Sequence, residues 1–190
     1  MTHEQFIAKL KQNNRQLQQY INDELPRHAG KIAVDFFREN FIKGGFVDND
    51  LEPWDKPKRY DEQGRYARQK YGTLLSARDE LYNSISYNPL RGMVVISSDK
   101  TYAKIHNEGG EVDHQVPVTN KMRKFAWAMH FEEVGENKKK YSKWKGLALT
   151  KKETIRVKFT MPRRQFIGES AQLNTKIKER IINDLKKIIQ

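Results

Sequence analysis

Hydrophobic positions recur at helical spacing near both ends of the chain. In residues 3–25 the apolar side chains lie mostly three or four apart, which is typical of an amphipathic helix that Pro26 stops or kinks. A second apolar face predicts a helix over 28–42, ended by Gly44-Gly45, so that residues 1–43 form the N-terminal helices. A last amphipathic helix is expected from about Ser170. Its apolar face comprises Leu173, Ile177, Ile181, Leu185 and Ile188.

The middle of the chain mixes strand and helix patterns. Alternation at 85–87, turn residues at 88–92 and a β-branched run at 93–97 predict a β-hairpin. Alternation at 154–160 predicts a half-buried strand that Pro162 ends. Short helices are expected at 74–81 and at 119–132, the latter capped by Thr119. Residues 46–72 show no period and predict a long basic loop anchored by Trp54.

This order of elements shows no repeated βαβ pattern. It predicts an α+β fold, with a small antiparallel sheet packed against the N- and C-terminal amphipathic helices, an inserted helix and long basic loops. At 190 residues the chain is expected to form a single domain spanning 1–190.

Composition restricts the chemistry. The absence of cysteine excludes thiol catalysis, Cys-ligated zinc and a disulfide scaffold. The N-terminal stretch lacks the apolar core of a signal peptide, and no apolar run is long enough to span a membrane, so we expect a cytoplasmic protein without membrane contact. The net charge of +12 predicts anionic partners without specifying them.

The stretch TYAKIHNEGG, residues 101–110, offers one candidate for chemistry. His106 could serve a metal site or a His-based nuclease, but only Asp113 and His114 stand near it in sequence. We therefore favour a structural role, in which Tyr102 and Ile105 pack inward and His106 forms a hydrogen bond at the end of a strand. Gly109-Gly110 would supply a positive-φ turn. No catalytic residue, metal or cofactor is expected.

A lysine run with interleaved aromatic residues offers a second candidate, for binding an anionic partner. Its cations suit phosphates and its aromatic rings suit bases, but an open, solvated loop is the interpretation that we favour. The residues in question are Lys138, Lys139, Lys140, Lys143, Trp144 and Lys145.

The stretch MPRRQFIGES, residues 161–170, predicts a strand-to-helix connection. Gly168 turns the chain, Ser170 caps the last helix, and Phe166 and Ile167 anchor the turn to the core. A GxSxG nucleophile elbow is excluded because no glycine stands two residues after Ser170.

Four stretches, taken in order, resemble the phage virion morphogenesis family of Mu-like and P2-like phages. They are GGFVDNDLEPWDKPKR (44–59), GTLLSARDELYNSISY (72–87), YAKIHNEGG (102–110) and MPRRQFIGES (161–170). They resemble the family pattern of Gly-Phe with a nearby Trp, Gly-x-Leu-x-x-Ser-Ile, Tyr-Ala-x-Ile-His-Asn-x-Gly and Pro-x-Arg-x-Phe-x-Gly. Ser84-Ile85 lies farther from Gly72 than this pattern asks, and residues 114–152 resemble an insertion.

The resemblance implies a non-enzymatic protein for tail completion or head–tail joining. Such a protein would sit in the virion as a ring beside other tail and neck proteins, in contact with packaged DNA, and in the host cytoplasm during assembly. The residues that would form the frame of the fold are Tyr102, His106, Asn107, Gly109, Arg163, Phe166 and Gly168. The alternative is a nucleic-acid-binding module that uses the basic loop 138–152.

Overall fold

The structure, a computed structural model, describes residues 2–57, 71–135 and 142–189. The chain forms two compact units. Unit 1 comprises residues 1–109 and 162–190, and unit 2 is the continuous segment 110–161. Unit 2 contains the predicted insertion 114–152 and is longer at both ends, by residues 110–113 and 153–161. The expectation of a single domain stays a prediction.

Unit 1 begins with three consecutive helical segments. They are α1 (His3–Gln19), a π-helical turn (Tyr20–Glu24) and α2 (Leu25–Lys43). Thr2 caps α1, because its hydroxyl accepts from the Gln5 amide while the Gln5 side chain accepts from the Thr2 amide. Gly44 ends α2 in the left-handed conformation, at φ 70°, as predicted.

The sequence predicted that Pro26 stops or kinks the helix. The helical chain is not stopped there, and a π-helical turn lies directly before α2. Pro26 lies in the first turn of α2, where its missing N–H is tolerated. Because Pro26 cannot donate to the carbonyl of Asn22, four residues earlier, that carbonyl accepts from the Gly92 amide instead, at 3.0 Å. The proline thereby ties the π turn to a β-turn of the same unit.

In the described residues the strands form three separate two-stranded antiparallel sheets rather than one sheet. The mixed α+β class is confirmed. Unit 1 contains β1 (Gly45–Val47) with β2 (Leu51–Pro53), and β3 (Ile85–Leu90) with β4 (Met93–Ser98). The predicted hairpin at 85–97 is therefore present. The predicted helix at 74–81 is displaced to α3 (Glu80–Ser84), and α4 (Ala103–Glu108) follows β4.

The core of unit 1 is aromatic. Phe41 of α2 is 1% exposed and lies edge-on to Trp54, Tyr82 and Phe166, with centroid distances of 5.6, 5.9 and 5.2 Å. The predicted anchoring of the 46–72 loop by Trp54 is confirmed for the residues described, and 58–70 lie outside them. The β3–β4 hairpin packs on α2 at Gly30, where a Cβ would come within 2.3 Å of the Tyr87 ring.

The last helix, α7 (Ala171–Ile189), begins next to Ser170, whose hydroxyl accepts from the Leu173 amide at 3.2 Å. Both the helix and its cap agree with the sequence prediction. The carboxylate of Asp48 adds a second cap by accepting from the Ala171 amide at 2.7 Å.

A buried carboxylate joins α7 to the N-terminal helices. Asp184 is 8% exposed, and its Oδ2 lies 2.7 Å from Arg180 Nε, 3.1 Å from His28 Nδ1 and 3.3 Å from the Tyr20 hydroxyl. Burial and then the Asp184 charge raise the pKa of Tyr20 to about 12. Burial pushes the pKa of Asp184 upward, but Arg180, Tyr20 and His28 outweigh it, and the pKa is lowered.

Unit 2 pairs one hairpin with two helices. It comprises β5 (Gly110–Pro117), α5 (Asn120–Val134), α6 (Lys143–Leu149) and β6 (Thr154–Met161). The Thr119 cap of α5 and the strand ended by Pro162 are as predicted. The strand that pairs with β6 follows Gly109 instead of preceding it, because residues 103–108 are helical. In the described residues, no helix is both long and apolar enough to cross a membrane.

Replacing Asp184 by asparagine should destabilise unit 1 by about 1–3 kcal/mol, because charge-assisted hydrogen bonds to a buried group are lost. A carboxyl with a lowered folded pKa stabilises the fold above its unfolded pKa, near 3.9, and loses that contribution as pH falls. Urea unfolding at neutral and acidic pH should therefore show the wild type converging on Asp184→Asn below about pH 4.

Glu39→Gln is the matched control for Asp184→Asn. Glu39 pairs with Lys43 at 3.0 Å and Lys176 at 3.8 Å, but its side chain is 45% exposed. Exposed ion pairs contribute little, so this change should cost less. Equal losses for the two variants at neutral pH would contradict the importance of the buried carboxylate.

Candidate functional site

The segment Pro162–Ser170, here called the docking segment, links unit 2 to the last helix. Phe166 lies at its centre and is 1% exposed, in contact with Phe41. Ser170 at its end is 2% exposed. The segment has no regular secondary structure, so its backbone polar groups need partners outside a helix or a strand.

Asn107 of α4 satisfies two of these groups with one oxygen. Its Oδ1 accepts from the amide of Phe166 at 2.8 Å and from the amide of Ile167 at 3.0 Å. An amide oxygen has two lone pairs, and both are used here. Asn107 thus holds the docking segment to α4 at its most buried residue.

Further side chains hold the carbonyls of the same segment. The indole Nε1 of Trp54 donates to the Gln165 carbonyl at 2.8 Å. Asn40 of α2 is 1% exposed and donates to the Phe166 carbonyl at 3.4 Å, while its own oxygen accepts from the Val47 amide at 3.3 Å. One buried asparagine therefore joins α2, β1 and the docking segment.

The two ends of unit 1 that flank unit 2 lie against each other. The Arg164 amide donates to the His106 carbonyl at 2.8 Å. Gly109 has φ 71°, and a Cβ on it would lie 2.7 Å from the Arg163 nitrogen. Glycine is needed here both for the positive φ and for the close approach of the backbone. The predicted positive-φ turn at Gly109-Gly110 is confirmed, with Gly110 at φ 127°.

His106 lies in α4 rather than at the end of a strand, so the strand assignment for 102–106 was wrong. Burial and then the nearby Arg164 charge lower the pKa of His106, which favours the neutral imidazole. Its Nδ1 is buried without a hydrogen-bond partner among the described residues. The hydrogen bond expected of the His106 side chain is thus not formed there, and its backbone carbonyl makes the structural contact instead.

Tyr102 also differs from expectation. It is 38% exposed and lies edge-on to the His106 ring at 5.9 Å, whereas Ala103 is the buried residue of this stretch. Side chains of a helix repeat every 3.6 residues, whereas those of a strand alternate between two faces. Because this stretch is the helix α4, the inward positions predicted from a strand pattern are not the buried ones. Gly168 agrees with its predicted place, since a Cβ there would meet the Gln165 side chain.

The arginine that the structure buries is Arg164, one residue after the predicted Arg163. Arg164 is 7% exposed and its Nε donates to the Asp55 carbonyl at 3.0 Å, whereas Arg163 is exposed and donates to the Gln165 side chain. The spacing Pro-x-Arg-x-Phe, counted from Pro162, points to Arg164 and could have identified it. No comparable spacing pointed to Asn40. The helical pattern places it on the buried face but does not indicate which groups it contacts.

Only some of the candidate residues for binding an anionic partner lie in the described part of the chain. Lys138, Lys139 and Lys140 lie outside the described residues. Lys143, Trp144 and Lys145 begin α6, which the Ser142 hydroxyl caps by accepting from the Trp144 amide at 3.2 Å. The predicted open loop is therefore helical from Lys143 onward.

The part of the chain that the structure describes shows no cluster of metal ligands. In residues 2–57, 71–135 and 142–189, no three His, Asp or Glu side chains are grouped so that they could hold a metal ion. His106 stands beside Tyr102 and Asn107, whose amide oxygen is already occupied by backbone donors. This arrangement can position a backbone segment, and that is the chemistry its contacts support.

Comparison with known proteins identifies a family. Residues 47–186 match the model of the phage virion morphogenesis family, which covers the docking segment, α4 and the whole of unit 2. No curated protein and no solved structure matches the chain.

Replacing Asn107 by alanine should lower the free energy of unfolding by about 2–4 kcal/mol, because the amides of Phe166 and Ile167 both lose their acceptor. Asn107→Asp keeps an acceptor oxygen in the same place and should lose clearly less. Urea denaturation of both variants tests this. Equal losses would show that the Asn107 oxygen is not what holds the docking segment.

Two glycines at positive φ differ in their surroundings. Gly44 lies in the left-handed helical region, at φ 70° and ψ 29°, whereas Gly109 has φ 71° and ψ −171°, a region nearly restricted to glycine. Gly44→Ala should cost about 1–2 kcal/mol, the usual penalty for a Cβ in the left-handed region, because nothing lies within 4 Å of the added atom. Gly109→Ala carries a backbone penalty of its own and also a contact of 2.7 Å with the Arg163 backbone nitrogen. Thermal and urea unfolding should rank Gly109→Ala as the more destabilised variant, and the reverse order would contradict the close approach.

Proposed function

This chain belongs to the phage virion morphogenesis family, and from that membership we propose that it is a structural assembly protein without catalytic activity. In this proposal it completes the tail at the neck and joins head to tail. The observation that carries the proposal is that the residues of the family motifs make structural contacts within unit 1. Asn107, Gly109, Phe166 and Gly168 all contact or position the docking segment. Their contacts favour a frame that presents surfaces to other proteins.

Apolar side chains exposed on the terminal helices of unit 1 suit such a role. Helix α1 buries none of its residues, and Phe6 and Leu10 are 46% and 52% exposed. On α7, Ile182 and Ile189 are 52% and 64% exposed. A cluster of exposed apolar residues is typical of an interaction surface. We propose that α1 and α7 contribute to a ring of identical subunits in the virion, which would dock on other tail and neck proteins.

The remaining parts of the proposal follow from the family. The protein would reside in the virion, and in the host cytoplasm during assembly. A ring at the neck would surround the path of the packaged DNA, which the net charge of +12 suits. It would have no membrane partner and no cofactor.

A nucleic-acid-binding module is the second candidate function. The exposed Lys143 and Lys145 of α6 support it, since they belong to the basic stretch 138–152. The two functions differ in their response to salt, because phosphate binding weakens steeply with salt whereas contacts between apolar surfaces do not.

The full-length protein should form a closed oligomer in solution that survives high salt. Light scattering across protein concentrations at low and high salt measures this. Leu10→Glu combined with Ile189→Glu should shift the mass toward the monomer, because a charge in an apolar contact is costly. Ile42→Glu is the control, since Ile42 is 73% exposed on α2. A monomer at every concentration and salt, or equal disruption by Ile42→Glu, would contradict assembly through α1 and α7.

A further inference from the structure

Among the residues that the structure describes, the positive side chains of unit 2 are paired with carboxylates on its strands and unpaired on its helices. On the β5–β6 hairpin the positive side chains are neutralised. Arg156 forms two hydrogen bonds of 2.7 Å with the carboxylate of Asp113, and Lys158 lies 3.6 Å from Glu111. On α5 and α6, by contrast, Lys121, Lys124, Lys143 and Lys145 are exposed and form no ion pair with any described residue. Four unpaired lysines of unit 2 therefore lie on its helices, and Lys151 and Lys152 follow between α6 and β6.

An aromatic contact joins these lysines into one surface. Phe125 of α5 and Trp144 of α6 lie edge to face, with a centroid distance of 5.8 Å and an interplanar angle of 87°. Lys121 stands one helical turn before Phe125, and Lys124 is its neighbour in sequence. Lys143 and Lys145 flank Trp144, and the Lys143 ammonium lies 5.5 Å from the centre of the indole ring. We call this surface, formed by these four lysines with Phe125 and Trp144, the α5–α6 face.

We propose that the α5–α6 face binds the phosphate backbone of nucleic acid, with duplex DNA as its preferred form. The setting of this binding, at the DNA path of the neck, rests on the proposed function. The binding itself follows from unit 2 alone and can be tested without it.

Because its cations are lysines, this surface suits phosphate groups better than the edges of bases. The lysine ammonium is a compact point charge, and it lacks the planar fork with which arginine reads guanine. Contacts to phosphate position a protein on nucleic acid and carry no sequence information directly. We therefore expect binding that is independent of sequence.

The aromatic pair favours duplex over single-stranded nucleic acid. Single-strand binding proteins stack unpaired bases on open aromatic rings. Here Trp144 is half-buried, with Phe125 at its edge and the Lys143 ammonium over its ring. Its contacts hold the lysines together and leave little of the ring for a base. A duplex also presents about one negative charge per 1.7 Å of its axis, a higher density than a single strand or an acidic protein offers.

Binding is tested with the full-length protein and a short fluorescent duplex of arbitrary sequence, titrated by anisotropy at about 50 and about 200 mM salt. The test variant replaces Lys121, Lys143 and Lys145 by glutamine. The control variant replaces Lys31, Lys56 and Arg91 by glutamine, which changes the net charge equally at exposed residues of unit 1 outside α1 and α7. Each lost phosphate contact should lower the slope of log affinity against log salt by about 0.9, so the test variant should lose about 2–3 in slope and the control much less.

Two competitors distinguish the sources of negative charge. Unlabelled single strand of the same sequence and polyglutamate should each displace the duplex only at clearly higher concentration than unlabelled duplex does. Absence of duplex binding by the wild type at low salt, an equal loss in both triple variants, or displacement by polyglutamate as effective as by duplex would each overturn the proposal.

Light scattering of the test variant separates this proposal from the neck function. Its lysines lie outside α1 and α7, so its oligomeric mass should equal that of the wild type. An intact oligomer without DNA binding by the wild type would remove the α5–α6 face and leave the assembly role standing. A monomeric wild type that binds duplex in the expected way would contradict the assembly role and support DNA binding by the α5–α6 face.

Discussion

The docking of residues 162–170 against α2, α4 and Trp54, which follows β2, is the constraint on which unit 1 depends. Asn107 accepts from two consecutive amides of this segment, and Phe166 between them completes the aromatic core around Phe41. A buried segment without regular structure is stable only if its backbone groups are paired. Side chains from three parts of the chain supply that pairing, so the last helix can start in a fixed place, where Ser170 and Asp48 cap it.

The same docking explains how unit 1 accommodates a long segment between its two parts. The chain leaves unit 1 after Gly109 and returns at Pro162, and the bond from the Arg164 amide to the His106 carbonyl holds these ends together. The cost of closing a loop grows only slowly with its length once its ends are fixed. Unit 2 also has its own core, in which Ala126 is fully buried on α5 and Ala148 is 6% exposed on α6. The length and composition of unit 2 are therefore free to differ without disturbing the frame.

The amphipathic helices, the hairpin at 85–97 and the strand before Pro162 were predicted from the spacing of their apolar residues alone, although α1 buries none of its residues. The errors arose where local pattern and tertiary contact disagree. Polar and apolar residues alternate in 103–108 as they do in a strand, yet the segment forms a helix. This helix places Asn107 against the docking segment, a contact that the local pattern does not reveal. Pro26 looked like a helix stop, but it falls in a first turn where no N–H is required. Asn40, Arg164 and Asp184 are buried polar groups that each have a partner more than a hundred residues away, and no local pattern encodes these distant contacts.

The distribution of surface chemistry separates two kinds of contact within one chain. The exposed side chains of α1 and α7 are apolar at positions such as Leu10 and Ile189, whereas α5 and α6 expose lysines that nothing in the described residues neutralises. Association through apolar surface is insensitive to salt or strengthened by it, while attraction to phosphate weakens as salt rises. The two contacts therefore respond in opposite directions to ionic strength. If both proposed contacts exist, such a subunit would keep its protein contacts when its binding to nucleic acid is weakened by salt.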